Sequence, residues 1–184
     1  MNADTFCTAC FSGYRPEKFS FPLLDENNLE FLRLQSYINK SIIKALKLGY
    51  NFFLCGMARG FDLLCADILL DIREQHEQYR NISLTAVLPY ASHTFAVAWG
   101  ELHRIVKQCS NQVVIVSTEY KVNCYEQRNR YMIENSSHLI CYWDGIEGGT
   151  EQTISMAKAR GLTIQNVSPI IKPTQKSFTV VLGP

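Results

Sequence analysis

Short continuous apolar runs alternate along this chain with longer stretches in which apolar residues recur every three or four positions. Phe6 to Phe11, Asn51 to Cys55, Ser83 to Leu88, Gln112 to Val116, His138 to Trp143 and Leu162 to Val167 are runs of the first kind. Their length, apolar content and bounding Gly or Pro predict six strands. Leu29 to Leu48, Gly60 to Tyr79, Thr94 to Gln108, Glu126 to Asn135 and Glu151 to Arg160 carry the longer period and predict helices. In the first of these, Leu29, Leu32, Leu34, Ile38, Ile42, Ile43 and Leu46 supply the apolar face and Gly49 the stop. Strands alternating with helices predict an α/β fold with a largely parallel sheet. A single domain is expected over 1–168, with 169–184 a peripheral C-terminal extension in which Phe178 to Leu182 is a candidate edge strand.

Composition narrows the function classes. At 184 residues and 47% hydrophobic, the chain can bury a core without metal or disulfide support. A net charge of +1 and a pI near 7.6 argue against a duplex nucleic-acid partner. Seven cysteines, most inside apolar runs, read as reduced thiols of a cytoplasmic protein. Cys7 and Cys10 have CxxC spacing, but no second pair follows and both sit in the first apolar run, so no metal site is expected. No apolar run is long enough to span a membrane. A homo-oligomer is left open.

Candidate chemistry gathers after the strands, where a parallel sheet delivers its loops to one edge. Ser12, Gly13 and Arg15 follow strand one; Gly56, Arg59, Gly60 and Asp62 follow strand two; Pro89 and Tyr90 follow strand three. Arg128 and Arg130 follow strand four, and Asp144, Gly148, Gly149 and Thr150 follow strand five. Gly56 to Gly60 is either a tight turn or a phosphate cradle, because a helix start offers unpaired N–H groups and partial positive charge. Gly148 to Thr150 repeats the pattern. Each arginine is either a phosphate donor or one half of a surface ion pair. Asp62 either accepts from a ribose or stabilises its helix start, and Asp144 either orients a sugar or opens a turn. Tyr14, Trp99 and Tyr142 are stacking partners or core. The four histidines lack ligand spacing, and neither a Gly-Lys-Ser/Thr ending nor a close glycine triplet occurs. The expectation is a phosphate-bearing ligand, with no further cofactor required.

The segments Ser12-Gly13-Tyr14-Arg15-Pro16-Glu17-Lys18, Gly56-Met57-Ala58-Arg59-Gly60-Phe61-Asp62, Arg128-Asn129-Arg130-Tyr131-Met132, Asp144-Gly145 and Gly148-Gly149-Thr150 resemble the bacterial YpsA-like proteins. These belong to the SLOG superfamily, which also holds the DNA-processing protein DprA and the Lonely Guy phosphoribohydrolases. The resemblance runs from Cys7 to Pro169 and implies a Rossmann-like three-layer sandwich that binds or senses a nucleotide or a derivative such as NAD or ADP-ribose. Ser12, Tyr14, Arg59 and Glu134 stand where the family usually carries other residues. The hydrolase relatives share a Gly-Gly-x-Gly-Thr-x-x-Glu motif with a catalytic glutamate; here Thr153 holds that place and Glu151 is displaced. Two alternatives follow from the resemblance: N-glycosidic hydrolysis of nucleoside monophosphates, with Glu151 or Asp62 as candidate acid or base, and DprA-like nucleic-acid binding.

Overall fold

The computed structural model describes residues 3–94 and 97–169. Phe178 to Leu182, and the expected extension beyond Pro169, lie outside them. Six strands, β1 (Thr8–Ser12), β2 (Phe52–Cys55), β3 (Ser83–Leu88), β4 (Gln112–Ile115), β5 (His138–Cys141) and β6 (Thr163–Asn166), form one sheet in the order β4-β3-β2-β1-β5-β6. Every pairing is parallel, from Thr8 opposite Phe52 to Cys141 opposite Asn166. Helices α1 (Leu29–Lys47), α2 (Phe61–Gln75), α3 (Val97–Cys109), α4 (Cys124–Glu134) and α5 (Gly149–Arg160) connect them. This is the expected α/β, Rossmann-like sandwich.

Strand alternation divides the core in two. Ala9 and Phe11 of β1 pack with Phe53, Leu84 and Leu88 against α1, α2 and α3. Cys10, between them, faces Leu54, Val87, Leu139 and Cys141 and packs against Met132 of α4 and Ile154 of α5. Burial on both faces explains why β1, β2, β3 and β5 read as continuous apolar runs, whereas the edge strands β4 and β6 are largely exposed or half-buried. Asn28 caps α1, its side chain accepting from the N–H groups of Glu30 at 3.0 Å and Phe31 at 3.1 Å.

Several boundaries differ from expectation. Phe6 and Cys7 end a short 3-10 segment, Ala3–Cys7, rather than begin β1, and Phe6 is exposed. Cys7 is exposed and Cys10 buried, both as free thiols, and among the described residues no cluster suits a metal ion. The α2 helix stops at Gln75 because His76 adopts an extended conformation, and Glu77–Tyr79 forms a separate 3-10 turn. Among the described residues no helix is long and apolar enough to cross a membrane.

Candidate functional site

Chain order reverses at β1. From it the strands run outward through β2, β3 and β4 on one side, and β5 and β6 lie on the other. Ligands of open α/β sheets bind at such a switch point, outside the carboxyl ends of the strands. A cleft of about 300 Å³ lies there, at the lower end of ligand-pocket volumes. Its walls are Ser12 to Arg15, Glu17 and Lys18 after β1, Ala58 and Asp62 after β2, Tyr125, Arg128 and Asn129 of α4, and Gly149 and Thr150 of α5.

The two glycine turns do different work. At Gly60 the backbone has φ +94°, and a Cβ would stand 2.5 Å from the Tyr14 carbonyl oxygen. The Phe61 N–H donates to that same carbonyl at 3.1 Å, so the start of α2 is filled by the β1 loop. At Gly56 a Cβ would meet the Arg128 guanidinium and the Asp62 carboxylate, and the Gly56 carbonyl accepts from Arg128 Nη1. Neither Gly56 nor Gly60 lines the cleft; this turn is a buttress rather than a cradle. The α5 turn is open. Gly148, at φ +144°, precedes the helix, Gly149 has no atom within 4 Å of a Cβ position, and the N–H groups of Gly149, Thr150 and Glu151 find no acceptor among the described residues.

Beneath the cleft Asp62 and Arg128 form a buried pair, Oδ2 to Nη1 at 3.6 Å. Asp62 Oδ1 also accepts from the Gly13 N–H at 3.2 Å. The carboxylate therefore joins loops as well as sitting in the first turn of α2. Burial pushes its pKa up to about 6, opposed by Arg128 and by the N–H groups of Gly13 and Ala58. Burial likewise lowers that of Arg128, opposed by Asp62. Desolvation thus outweighs the attraction on both sides.

Two flexible cations remain at the rim. The Lys18 ammonium lies 5.2 Å from the centre of the Tyr14 ring and 3.5 Å from the Glu147 carbonyl oxygen, and the Arg15 guanidinium sits 5.2 Å over Tyr125. Tyr14 is itself buried, and its hydroxyl donates to Asp144 Oδ1 at 2.5 Å; burial and that bond push its pKa up to about 12. Outside the α4 face of the cleft, His93 is buried against His103 and Tyr125, and burial with the neighbouring His103 pushes its pKa down to about 3.

Of the thirteen site residues expected from sequence, Ser12, Gly13, Arg15, Asp62, Arg128, Gly149 and Thr150 meet in the cleft. Arg59 pairs with Glu17, and Arg130 pairs with Glu126 at 3.1 Å on the exposed side of α4. Residues two apart on a helix cannot face one site, so Arg128 and Arg130 were never interchangeable. Asp144 lines a separate cavity of about 190 Å³ with Phe21 and Tyr142. Trp99 and Tyr142 pack on the core. Sequence reasoning missed Lys18, Tyr125 and Asn129. Tyr125 precedes Arg128 by three positions and Asn129 by four, the two spacings that put helix side chains side by side, and that is the signal that could have found the pair.

Comparison with known proteins agrees with this architecture. No curated protein matches the chain significantly. Among solved structures, DNA processing protein A (DprA) from Streptococcus pneumoniae aligns with a TM-score of 0.58 at 16% identity, covering 89% of this chain and 50% of that one. The chain thus spans half the length of that structure, and the likeness is one of fold. A family model, described as the YspA SLOG family, matches residues 9–171. The chain belongs to the YspA SLOG family.

Proposed function

We propose that the protein binds a nucleotide or nucleotide-derived ligand in this cleft, with a phosphate at the start of α5 between Lys18 and Arg15. The observation that carries this reading is the open N-terminus of α5, with unpaired N–H groups and a glycine whose Cβ side is empty, facing two cations in one cleft. Glu17 does not cancel them, because its carboxylate is paired with Arg59. Calorimetric titration with AMP, NAD and ADP-ribose tests the proposal. Lys18→Ala and Arg15→Ala should each weaken binding about 10-fold or more, since a hydrogen bond to a charged group contributes ~1.5–3 kcal/mol. Arg130→Ala should leave binding unchanged. No heat with any of these ligands at millimolar concentration would remove the reading.

Asp62 favours a second reading, N-glycosidic cleavage of a nucleoside monophosphate. A carboxyl at the cleft floor with pKa near 6 suits a general acid or base. Glu151, the other candidate, does not line the cleft. Free base released from AMP by the protein, and lost in Asp62→Asn, would support this reading; no free base would retire it. DprA is a DNA-processing protein by name, but the near-neutral charge of this chain gives a strand-binding role no electrostatic footprint.

A further inference from the structure

One wall of the cleft has an aromatic composition that phosphate binding does not use. Tyr125, in the first turn of α4, lines the cleft, and two further tyrosines stand beside it. Tyr90 follows β3, and Tyr120 lies in the loop between β4 and α4. The ring centroids are 5.6 Å apart for Tyr90 and Tyr120, 6.3 Å for Tyr90 and Tyr125, and 6.5 Å for Tyr120 and Tyr125, each pair steeply inclined. The Tyr125 side chain beside it raises the Tyr90 pKa.

Tyr120 is the telling member of the three. It is 63% exposed, yet its ring is seated against two others and its loop is anchored. The Ser117 hydroxyl donates to the Glu119 carbonyl at 2.6 Å, the Ala91 N–H to the Ser117 carbonyl at 3.1 Å, and the Cys124 N–H to the Lys121 carbonyl at 3.0 Å. A large apolar ring is therefore held in water beside a cationic cleft, with its conformational freedom already reduced. A planar heterocycle gains most from such a surface, because every base has a π-face and an ordered ring loses little entropy on stacking.

The geometry points to a base-binding subsite formed by Tyr90, Tyr120 and Tyr125, so that the ligand is a nucleoside phosphate held at both ends rather than a sugar phosphate or inorganic phosphate. This rests on the phosphate-site reading above. The base lies at the tyrosine rim, the phosphate at the start of α5, and the ribose spans the cleft floor. Selectivity then comes from the ring, since the phosphate end accepts any phosphomonoester.

Calorimetric titration of AMP and of ribose 5-phosphate, which lacks only the base, tests the subsite in the wild type, Tyr120→Ala and Tyr120→Phe. The expected result is that AMP binds about tenfold or more tightly than ribose 5-phosphate, that Tyr120→Ala removes most of that advantage without altering ribose 5-phosphate binding, and that Tyr120→Phe retains it. Equal binding of the two ligands by the wild type, or equal losses for both in Tyr120→Ala, or no loss for AMP, would overturn the subsite and leave the phosphate site standing. Failure of the wild type to bind either ligand would overturn both.

Discussion

Gly149→Ala is expected to raise stability and weaken ligand binding at once. Gly149 is the first residue of α5, it has no positive φ, and a Cβ built there meets nothing within 4 Å. A methyl group therefore costs no steric strain, and it narrows the unfolded ensemble. The expected gain is ~0.4–1 kcal/mol, or an increase in Tm of roughly 1–4 °C for a chain of this size. The Cβ of a helical residue leans toward the helix N-terminus, so the same methyl projects toward the space in front of the Gly149 and Thr150 N–H groups. Loss of one charge-assisted hydrogen bond to a phosphate, about 1.5–3 kcal/mol, lowers affinity for AMP roughly 10- to 150-fold. Thermal unfolding and calorimetric titration of one preparation read both effects. Retained AMP affinity, or a lower Tm, would show that the turn is not an open anion site and would refute the reasoning.

Two other perturbations separate the remaining parts of the site. Gly60→Ala should destabilise by ~2–4 kcal/mol, because a positive φ and a Cβ 2.5 Å from the Tyr14 carbonyl must both be relieved by moving backbone; urea unfolding within about 0.5 kcal/mol of wild type would show that the two loops are not locked. The pH dependence should reveal two opposed titrations. His93, with its pKa pushed down to about 3, binds its proton less readily when folded, so its contribution is present above pH ~6.5 and is lost as pH falls toward 3. Asp62, with its pKa raised to about 6, binds its proton more readily when folded, so stability rises as pH falls from ~6 to ~4. Wild type should therefore vary little across this range on account of these two groups, whereas His93→Gln should gain ~1–2 kcal/mol relative to wild type between pH 7.5 and 4.5, after allowance for residual solvent screening. An unchanged difference in urea midpoint between those two pH values would argue against a buried neutral His93.

The sheet, its parallel sense and the edge carrying the cleft were legible because the inner strands β1, β2, β3 and β5 are buried on both faces and the stretches between strands carry the helical period. Which residues meet at that edge was legible in part. Arg128 was separable from Arg130 by helical geometry, since both fall inside the expected helix Glu126 to Asn135 two positions apart; which of them faces the cleft was not. Phe6 and Cys7 misled because an apolar pair can close a 3-10 turn at the surface as readily as open a strand. Lys18 was not legible. Its ammonium reaches Glu147 across 129 positions of sequence, held by the Tyr14 ring and the empty side of Gly148, and no local pattern encodes that approach.

The less legible point is the division of labour between the glycine turns, since both look alike in sequence. What separates them is the β1 loop, which reaches both sides at once. The Tyr14 carbonyl accepts from the start of α2, while the Tyr14 hydroxyl donates to Asp144 after β5. Asp62 adds its negative charge within the first turn of α2 and accepts from Gly13, so that helix has its partial positive charge answered by the protein itself. The first turn of α5 has Glu151, half-buried and outside the cleft, and no equivalent acceptor in front of its N–H groups among the described residues. One glycine turn is thus consumed in fixing the loop that carries Arg15 and Lys18, and that fixed loop holds the cations opposite the turn that stays open. The charge facing the cleft at the α5 turn depends on the buttress at α2, which is why a change at Gly60 should be felt in the proposed binding although Gly60 lines no part of the cleft.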